Sequence, residues 1–266
     1  MHIARRTFVI SGGCSGLGLA TTKLLHHLGG SVAILDLDSD RGDKLVQELG
    51  GSGNGRARFF ETNVSESESI ERAVSGLVEW VAKTGLEIGG VVTAAGVGLP
   101  GKVIDRSGEP ISMDSIDYVL NINMRGTLDL IRQLIPHIAK NKPLDPDPEK
   151  GVLVLVSSTA AYEGQIGQLA YAASKGAIAS VTLPLARDLA PYGVRCVTIA
   201  PSLFETNMTA MMSDKVRKSL EGVMEFPKRG GRPEEFASLV REAIENKMLN
   251  GTVIRLDGAT RMPSKM

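Results

Sequence analysis

Short apolar runs rich in β-branched residues alternate with longer amphipathic stretches along the whole chain. The short runs predict strands at residues 7–10, 31–35, 57–60, 91–94, 152–156, 195–200 and 253–256. The longer stretches predict helices at residues 17–28, 41–49, 70–82, 115–139 and 169–189, and Pro184 is expected to kink the last of them. This alternation is typical of a parallel sheet covered by helices on both faces. We therefore predict an α/β, doubly wound parallel sheet of about seven strands, forming a single domain over residues 1–266.

Two segments fall outside this periodicity. Residues 50–55 are rich in glycine, and residues 141–150 contain three prolines, so both are predicted to be surface loops.

Composition narrows the possible functions. The 266 residues are 42% hydrophobic and 23% charged, which is ordinary for a globular protein. Lys and Arg together number 30, and Asp and Glu together also number 30, so the formal net charge is zero. Because nucleic-acid binding depends on excess positive charge, we expect no nucleic-acid partner. No apolar run reaches the roughly 18 residues of a membrane span, and the residues before the first strand are too few for a targeting leader, so we expect a soluble intracellular protein without a membrane partner. Cys14 and Cys196 are predicted to be small buried residues, and no metal site is expected.

A glycine-rich turn joins the first predicted strand to the first predicted helix. It reads Ser11-Gly12-Gly13-Cys14-Ser15-Gly16-Leu17-Gly18. A helix N-terminus attracts pyrophosphate, and glycines allow the backbone to turn tightly and approach the phosphates. A generic glycine-rich turn is the alternative, but the placement between strand and helix favours a dinucleotide site.

Asp36 closes the second predicted strand, 18 residues after Gly18. A carboxylate there accepts hydrogen bonds from the adenosine ribose and repels a 2′-phosphate. Neither Ser15 nor Leu37 supplies a basic group, so NAD is favoured over NADP. A strand-terminal Asp that caps the next turn is the alternative interpretation.

A tyrosine and a lysine lie four residues apart on one predicted helix face, at Tyr171 and Lys175. A nearby ammonium lowers the pKa of a phenol and makes it able to exchange a proton with an alcohol. Such a pair alone is typical of an exposed helix surface. Ser158 strengthens the catalytic interpretation because it follows a buried strand, at the sheet edge where ligands bind.

In chain order, these residues and several others resemble the short-chain dehydrogenase/reductase family. The motif positions are Ser11, Gly12, Gly16, Gly18, Ala94, Ala95, Gly96, Asn123, Ser158, Tyr171 and Lys175. The resemblance implies a Rossmann-type sheet with Tyr171 as general acid/base. It implies that Lys175 lowers the tyrosine pKa and holds the nicotinamide ribose, that Ser158 binds the reacting oxygen, and that Asn123 supports a proton-relaying water.

The same resemblance implies the ligand contacts. Cofactor contacts are expected at Ser11, Gly12, Ser15, Gly16, Leu17, Gly18, Asp36, Asn63, Val64, Ala95, Gly96, Tyr171, Lys175, Pro201 and Thr206, and substrate contacts at Ser158, Gln165 and Tyr171. The sequence departs from the family pattern at four positions. Ser11 replaces Thr, Thr93 replaces the first Asn of the Asn-Asn-Ala-Gly motif, Asn63 replaces Asp beside adenine, and Ser202 replaces Gly after Pro201.

Three segments, residues 160–168, 182–191 and 250–259, resemble the 3-hydroxyacyl-CoA dehydrogenase branch of this family. That resemblance implies NAD-dependent interconversion of 3-hydroxyacyl-CoA and 3-oxoacyl-CoA, with a small-molecule substrate and a homotetrameric assembly. A hydroxysteroid or other secondary-alcohol dehydrogenase is the alternative, and a non-catalytic scaffold subunit is a third. Ser264-Lys265-Met266 is similar to a peroxisomal address, so the expected compartment is peroxisomal, with mitochondrial or cytoplasmic residence left open.

Residues 203–208, followed by Met211 and Met212, come after the sixth predicted strand. Flexible methionine side chains suit a pocket for variable aliphatic chains. Packing of an amphipathic helix on the domain is an equal alternative.

Overall fold

The parallel sheet predicted from the alternating pattern is confirmed. A computed structural model describes residues 1–51, 55–143, 147–206, 209 and 220–262. The strands are β1 Thr7–Ser11, β2 Ser31–Asp36, β3 Ala57–Glu61, β4 Ile88–Thr93, β5 Gly151–Val156, β6 Val194–Pro201 and β7 Thr252–Leu256. They form one sheet in the order β3-β2-β1-β4-β5-β6-β7, and every neighbouring pair is parallel.

Helices cover both faces of this sheet. They are α1 Gly16–His27, α2 Ser39–Glu48, α3 Ser67–Thr84, α4 Met113–Leu120, α5 Thr127–Ile138, α6 Leu169–Leu189 and α7 Pro233–Glu245. Alternate strand side chains point to opposite faces, which produces two apolar cores. Val9 packs with residues of α3, α5 and α6, whereas Phe8 and Ile10 pack with residues of α1, α2 and α7.

The strand order reverses between β1 and β4, which places the functional segments at one edge. Ser11 pairs with Thr93, and Thr93 pairs with Leu155, so these strands end at the same level. The glycine turn after β1, the segment after β4 and the residues after β5 therefore meet at the carboxyl edge. Ligands of open α/β sheets bind in the crevice at such a reversal.

The single helix predicted at residues 115–139 is wrong in its centre. A turn of π-helix, Asn121–Gly126, separates α4 from α5. A Cβ on Gly126 would lie 2.4 Å from the carbonyl oxygen of Val64, so the backbone passes the neighbouring loop at very short range. Helix α6, by contrast, continues through Pro184.

The loop predicted at residues 141–150 is not a surface loop throughout. Asn141 is buried and its amide donates to the carbonyl oxygens of Ile88 at 2.6 Å and Lys150 at 3.0 Å. Glu149 is buried too, with an oxygen 2.7 Å from a guanidinium nitrogen of Arg195. These polar side chains are buried because they bind backbone and charge partners. Residues 144–146 and 52–54 of the two predicted loops lie outside the described residues.

Other boundaries differ more mildly. Strand β4 begins at Ile88, three residues before the predicted start, because Gly90 lets the backbone approach β5: a Cβ there would lie 2.7 Å from the carbonyl oxygen of Val152. Helix α7 was not predicted, although Pro233 at its first turn followed by two glutamates is a typical helix start. Cys14 and Cys196 are buried thiols, as predicted. None of the described helices combines the length and apolar character that a membrane crossing requires.

Candidate active site

The glycine turn is a backbone structure that excludes side chains. Gly12 has φ +65°, and a Cβ there would lie 2.8 Å from the amide nitrogen of Ala95. A Cβ on Gly18 would lie 2.2 Å from the carbonyl oxygen of Gly12. The Ser11 hydroxyl accepts a hydrogen bond from Ala95 N at 3.2 Å, so the hydroxyl kept at this position joins β1 to the segment after β4.

Asp36 holds this turn from the end of β2. One carboxylate oxygen accepts from Cys14 N at 2.9 Å, and the other accepts from Leu37 N at 2.8 Å and Asp38 N at 3.4 Å. The residue therefore caps the turn that follows it, as the alternative interpretation predicted, and its carboxylate also binds the glycine turn. At the start of α1, the Ser15 side chain makes no capping hydrogen bond, so the first-turn N–H groups remain available to an anion.

Ser158, Tyr171 and Lys175 come together at the carboxyl end of β5. Ser158 follows that strand, and its hydroxyl interacts with the Tyr171 phenol closely enough to lower the pKa of that phenol. Tyr171 and Lys175 lie one turn apart on α6, with the Lys175 ammonium 5.8 Å from the Tyr171 ring centroid. Lys175 Nζ donates to the carbonyl oxygen of Val156 at 2.9 Å, which fixes the buried ammonium at the strand end.

Asn123 lies behind this group, in the π-helical turn. Its amide oxygen accepts from Val97 N at 2.8 Å, and its amide nitrogen donates to Val97 O at 2.9 Å and to the Ser174 hydroxyl at 3.1 Å. A Cβ on Gly96 would lie 3.2 Å from Asn123 Oδ1 and 3.4 Å from Lys175 Nζ. Gly96 therefore keeps the space between the amide and the ammonium free of a side chain.

Burial changes the acid–base properties of the two ionisable groups. It raises the pKa of Tyr171, and the interaction with the Ser158 side chain offsets only part of that rise. It lowers the pKa of Lys175 to about 8, so the ammonium remains mostly protonated at neutral pH. The sequence predicted that Lys175 lowers the pKa of Tyr171, whereas burial of the phenol raises it and the opposing contribution comes from Ser158.

A cavity of about 580 Å³ opens in front of these side chains. Of the predicted contacts, those that line it are Ser15, Gly16, Leu17, Gly96, Ser158, Gln165, Tyr171, Lys175, Pro201 and Thr206. Those that do not line it are Ser11, Gly12, Gly18, Asp36, Asn63, Val64, Ala95 and Asn123. The structure thus places the catalytic candidates and the start of α1 around one space, with Asn123 behind it.

Asn63 forms a local turn shortly after β3. Its side-chain oxygen accepts from the Ser65 hydroxyl at 2.7 Å and from Ser65 N at 3.1 Å, while its amide nitrogen donates to Glu66 at 2.8 Å. The adjacent Val64 contributes the carbonyl oxygen that approaches Gly126.

The segment after β6 closes another side of the cavity. Pro201 ends β6, and Ser202 N donates to Leu256 O at 3.1 Å. The Ser202 hydroxyl, at a position where the family pattern has glycine, is buried without a hydrogen-bond partner among the described residues. A Cβ on Gly16 would lie 3.2 Å from the Thr206 side chain, which brings this segment against the glycine turn. Asn207, Met208, Met211 and Met212 lie outside the described residues, so the question of a methionine pocket stays open.

Several lining residues were not predicted from the sequence. They are Glu163, Gln168, Leu220 and Met262. Glu163 belongs to a segment that resembled the family branch, yet only Gln165 was assigned there. Its side chain binds Arg255, which lies 92 positions away. A local sequence pattern cannot predict an ion pair between residues so far apart in the chain.

Comparisons with known proteins agree with this geometry. The profile of the short chain dehydrogenase family matches residues 6–217. The chain is 41% identical over 255 residues to the 3-hydroxyacyl-CoA dehydrogenase type-2 of Rattus norvegicus, covering 96% of this chain and 94% of that protein.

Solved structures give the same picture. The crystal structure of 3-hydroxyacyl-CoA dehydrogenase type-2 from Mycobacterium avium matches with a TM-score of 0.89 and 36% identity, covering 98% of this chain and 97% of that one. A 3-ketoacyl-(acyl-carrier-protein) reductase from Brucella melitensis, complexed with NADH, matches with a TM-score of 0.81 and 27% identity, covering 97% and 98%. The chain therefore belongs to the short-chain dehydrogenase family of nicotinamide-dependent oxidoreductases.

Proposed function

We propose that this protein interconverts 3-hydroxyacyl-CoA and 3-oxoacyl-CoA with NAD as the hydride carrier. The observation that carries the reaction type is that Ser158, Tyr171 and Lys175 line one cavity at the carboxyl end of β5. This group can hold an alcohol or carbonyl oxygen and move one proton to or from it. Hydride transfer is the chemistry that bound nicotinamide supplies.

Each side chain has a separate task in that reaction. Ser158 donates to the substrate oxygen and orients it toward the Tyr171 hydroxyl. Tyr171, as phenolate, removes the proton when the alcohol is oxidised, and as phenol it returns the proton when the ketone is reduced. The Lys175 ammonium favours the phenolate, because an opposite charge stabilises it in a buried site. Hydrogen bonds to the Val97 carbonyl and the Ser174 hydroxyl hold the Asn123 amide in place behind Lys175. Its role is to support a water that relays protons to Lys175.

The residues at the nucleotide edge fit a dinucleotide. Only glycine fits at Gly12 and Gly18, and the first turn of α1 offers N–H groups to a pyrophosphate. The Asp36 carboxylate favours a free ribose diol and disfavours a 2′-phosphate, which supports NAD rather than NADP. We expect the dissociation constant of NADH, measured by its fluorescence, to be at least tenfold below that of NADPH. Equal affinities would refute this cofactor preference.

The substrate class is supported by the relatives and by the lining of the cavity. The rat relative is named as a 3-hydroxyacyl-CoA dehydrogenase, and apolar side chains, including Leu99, Leu203 and Leu220, line the space in front of Ser158. Oxidation of NADH with acetoacetyl-CoA is expected to exceed oxidation with a panel of ketosteroids. The opposite order would favour the hydroxysteroid dehydrogenase alternative.

The decisive variant is Tyr171→Phe, which removes the proton-transferring hydroxyl and keeps the ring. We expect kcat in both directions to fall by about a thousandfold, within the usual range for loss of a general acid–base group. NADH binding should be retained. Tyr192→Phe is the matched control, because Tyr192 is exposed at the end of α6. Full turnover by Tyr171→Phe would refute the assignment.

We further propose a homotetrameric assembly. Large apolar side chains are exposed on α4 and α6, including Met113, Tyr118, Leu169 and Leu183. Exposed apolar patches on helices are typical of surfaces buried in an assembly. Light scattering on the purified protein should give four times the chain mass of 28.3 kDa. A monomer at micromolar concentration would contradict this proposal.

A further inference from the structure

Glu163 is the centre of a charged network beside the cavity. One carboxylate oxygen accepts from Arg255 at 2.8 Å, and the other accepts from the backbone N–H of Met262 at 2.9 Å. Burial by itself would raise the pKa of Glu163, but the hydrogen bonds from Arg255 and Met262 outweigh it and lower the pKa. The carboxylate is therefore charged at neutral pH and binds two distant parts of the chain.

Arg255 extends this network to the segment that follows β7. Its Nε donates to Asp257 at 2.7 Å, and another guanidinium nitrogen donates to the carbonyl oxygen of Thr260 at 2.9 Å. The guanidinium also lies 5.5 Å from the ring centroid of Tyr162, next to Glu163 in sequence. Residues 257–262, which we call the β7 tail, are thus held by side chains rather than by regular secondary structure.

The β7 tail delivers an apolar side chain to the cavity. Met262 lines it and packs against a small cluster formed by Leu203, Leu220 and Met224. Leu203 and Leu220 line the same cavity. This cluster is separate from the two cores that hold the helices on the sheet. Met262 is therefore part of an apolar wall of the cavity that Ser158 also lines.

We propose that Met262, held in place by the carboxylate of Glu163, sets the length of acyl chain that the cavity accepts. This inference rests on the proposed acyl-CoA activity and specifies its substrate preference. Met262 acts by occupying space, and Glu163 is a positioning residue that acts through the Met262 backbone and Arg255. A wall whose backbone is fixed by the hydrogen bond from Met262 N–H to Glu163 rejects long chains more strongly than a freely moving methionine would.

The test is the ratio of kcat/KM for 3-hydroxyoctanoyl-CoA to that for 3-hydroxybutyryl-CoA. Met262→Ala opens space for added methylene groups, and burying two of them favours binding by roughly tenfold. We expect the ratio to rise by about that factor, mainly through KM for the longer substrate. Met262→Phe, which fills the cavity, should lower the ratio below that of the unaltered protein. Glu163→Gln keeps the shape but loses the charge pair, so the ratio should rise about threefold.

Matched controls separate this effect from general damage. Met248→Ala removes an exposed methionine, and Glu245→Gln breaks an exposed pair with Arg241 on α7. Both should leave the ratio unchanged. Thioester turnover with a ratio that is unaltered in Met262→Ala and Met262→Phe would overturn the inference. A uniform loss for both substrates in Glu163→Gln would overturn the positioning role. Absence of turnover with every thioester, while ketosteroids react, would instead refute the proposed function.

Discussion

The two halves of the site are built by different means. On the nucleotide side, the backbone determines the shape of the space. A Cβ added to Gly12 or to Gly18 would lie within 3 Å of main-chain atoms of other residues. On the substrate side, the space is shaped by side chains that meet from distant positions, such as Glu163, Arg255 and the buried Lys175. Where main-chain atoms surround a site, an added side chain has no space to move into. Where side chains form the site, replacing one of them changes a single property, such as a pKa or the substrate preference. Substitutions should accordingly abolish binding in the first half and tune pKa or selectivity in the second.

The largest effect is expected from Gly18→Ala. The added Cβ would lie 2.2 Å from the carbonyl oxygen of Gly12, so the first turn of α1 must move away from the glycine turn. We expect no measurable NADH binding and a loss of about 3 kcal/mol in the free energy of unfolding, measured with urea.

Gly176→Ala is the matched control for this change. Gly176 lies inside α6, and no heavy atom lies within 4 Å of its added Cβ. This variant should keep the NADH affinity of the unaltered protein, because within the chain the added Cβ meets neither the glycine turn nor any other atom. If Gly18→Ala and Gly176→Ala bound NADH equally well, the claim that the glycine turn has no space for a side chain would be wrong.

Next in size is the pH dependence of stability caused by Lys175. Its pKa is lowered from 10.5 to about 8 by burial. Below pH 8 both the folded and the unfolded forms carry the proton, and the folded state bears the full cost of the buried charge. Between about pH 8 and 10.5 the folded form has lost the proton and the unfolded form still binds it, so stability rises with pH in this window.

Lys175→Met removes this titration. The difference in free energy of unfolding between the unaltered protein and the variant should shift in favour of the unaltered protein by about 2 kcal/mol from pH 7 to pH 10. Urea titrations of the cofactor-free proteins at both pH values measure it. Lys23→Met, which removes an exposed ammonium, is the matched control and should not show this gain. A difference that stays flat or shifts the other way would contradict a buried ammonium at this position.

The contrast between local backbone features and contacts of distant side chains explains which parts of the fold and of the site the sequence predicts. The glycine turn, the end of β2 and the Tyr171–Lys175 spacing are local features, so their placement at one sheet edge followed from strand and helix periodicity. The π-helical turn at Asn121–Gly126 was not predicted, and its close contact between Gly126 and the Val64 carbonyl joins parts of the chain that no local pattern relates. The burial of Glu149 and the Glu163–Met262 contact depend likewise on partners 46 and 99 positions away. Hydrophobic periodicity carries no information about such polar pairs.

The smallest expected effect tests whether the nucleotide half also contains an adjustable side chain. Asn63 occupies a position where the family pattern has Asp, and its amide nitrogen is bound to Glu66 at 2.8 Å. In Asn63→Asp the oxygen that accepts from Ser65 is retained, and the second oxygen becomes an acceptor able to receive an adenine amino group. Glu66 then meets a like charge, but the contact is exposed, so the glutamate can turn into solvent at little cost.

Hydrogen bonds to a charged acceptor are roughly twice as strong as neutral ones. We therefore expect Asn63→Asp to tighten NADH binding about threefold, measured by fluorescence titration, with kcat unchanged. The double variant that adds Glu66→Gln removes the like charge, so it should tighten binding at least as much. Weaker NADH binding in both variants would show that the Asn63 amide donates a hydrogen bond to the nucleotide. The nucleotide side of the site would then depend on side-chain chemistry as closely as the substrate side does.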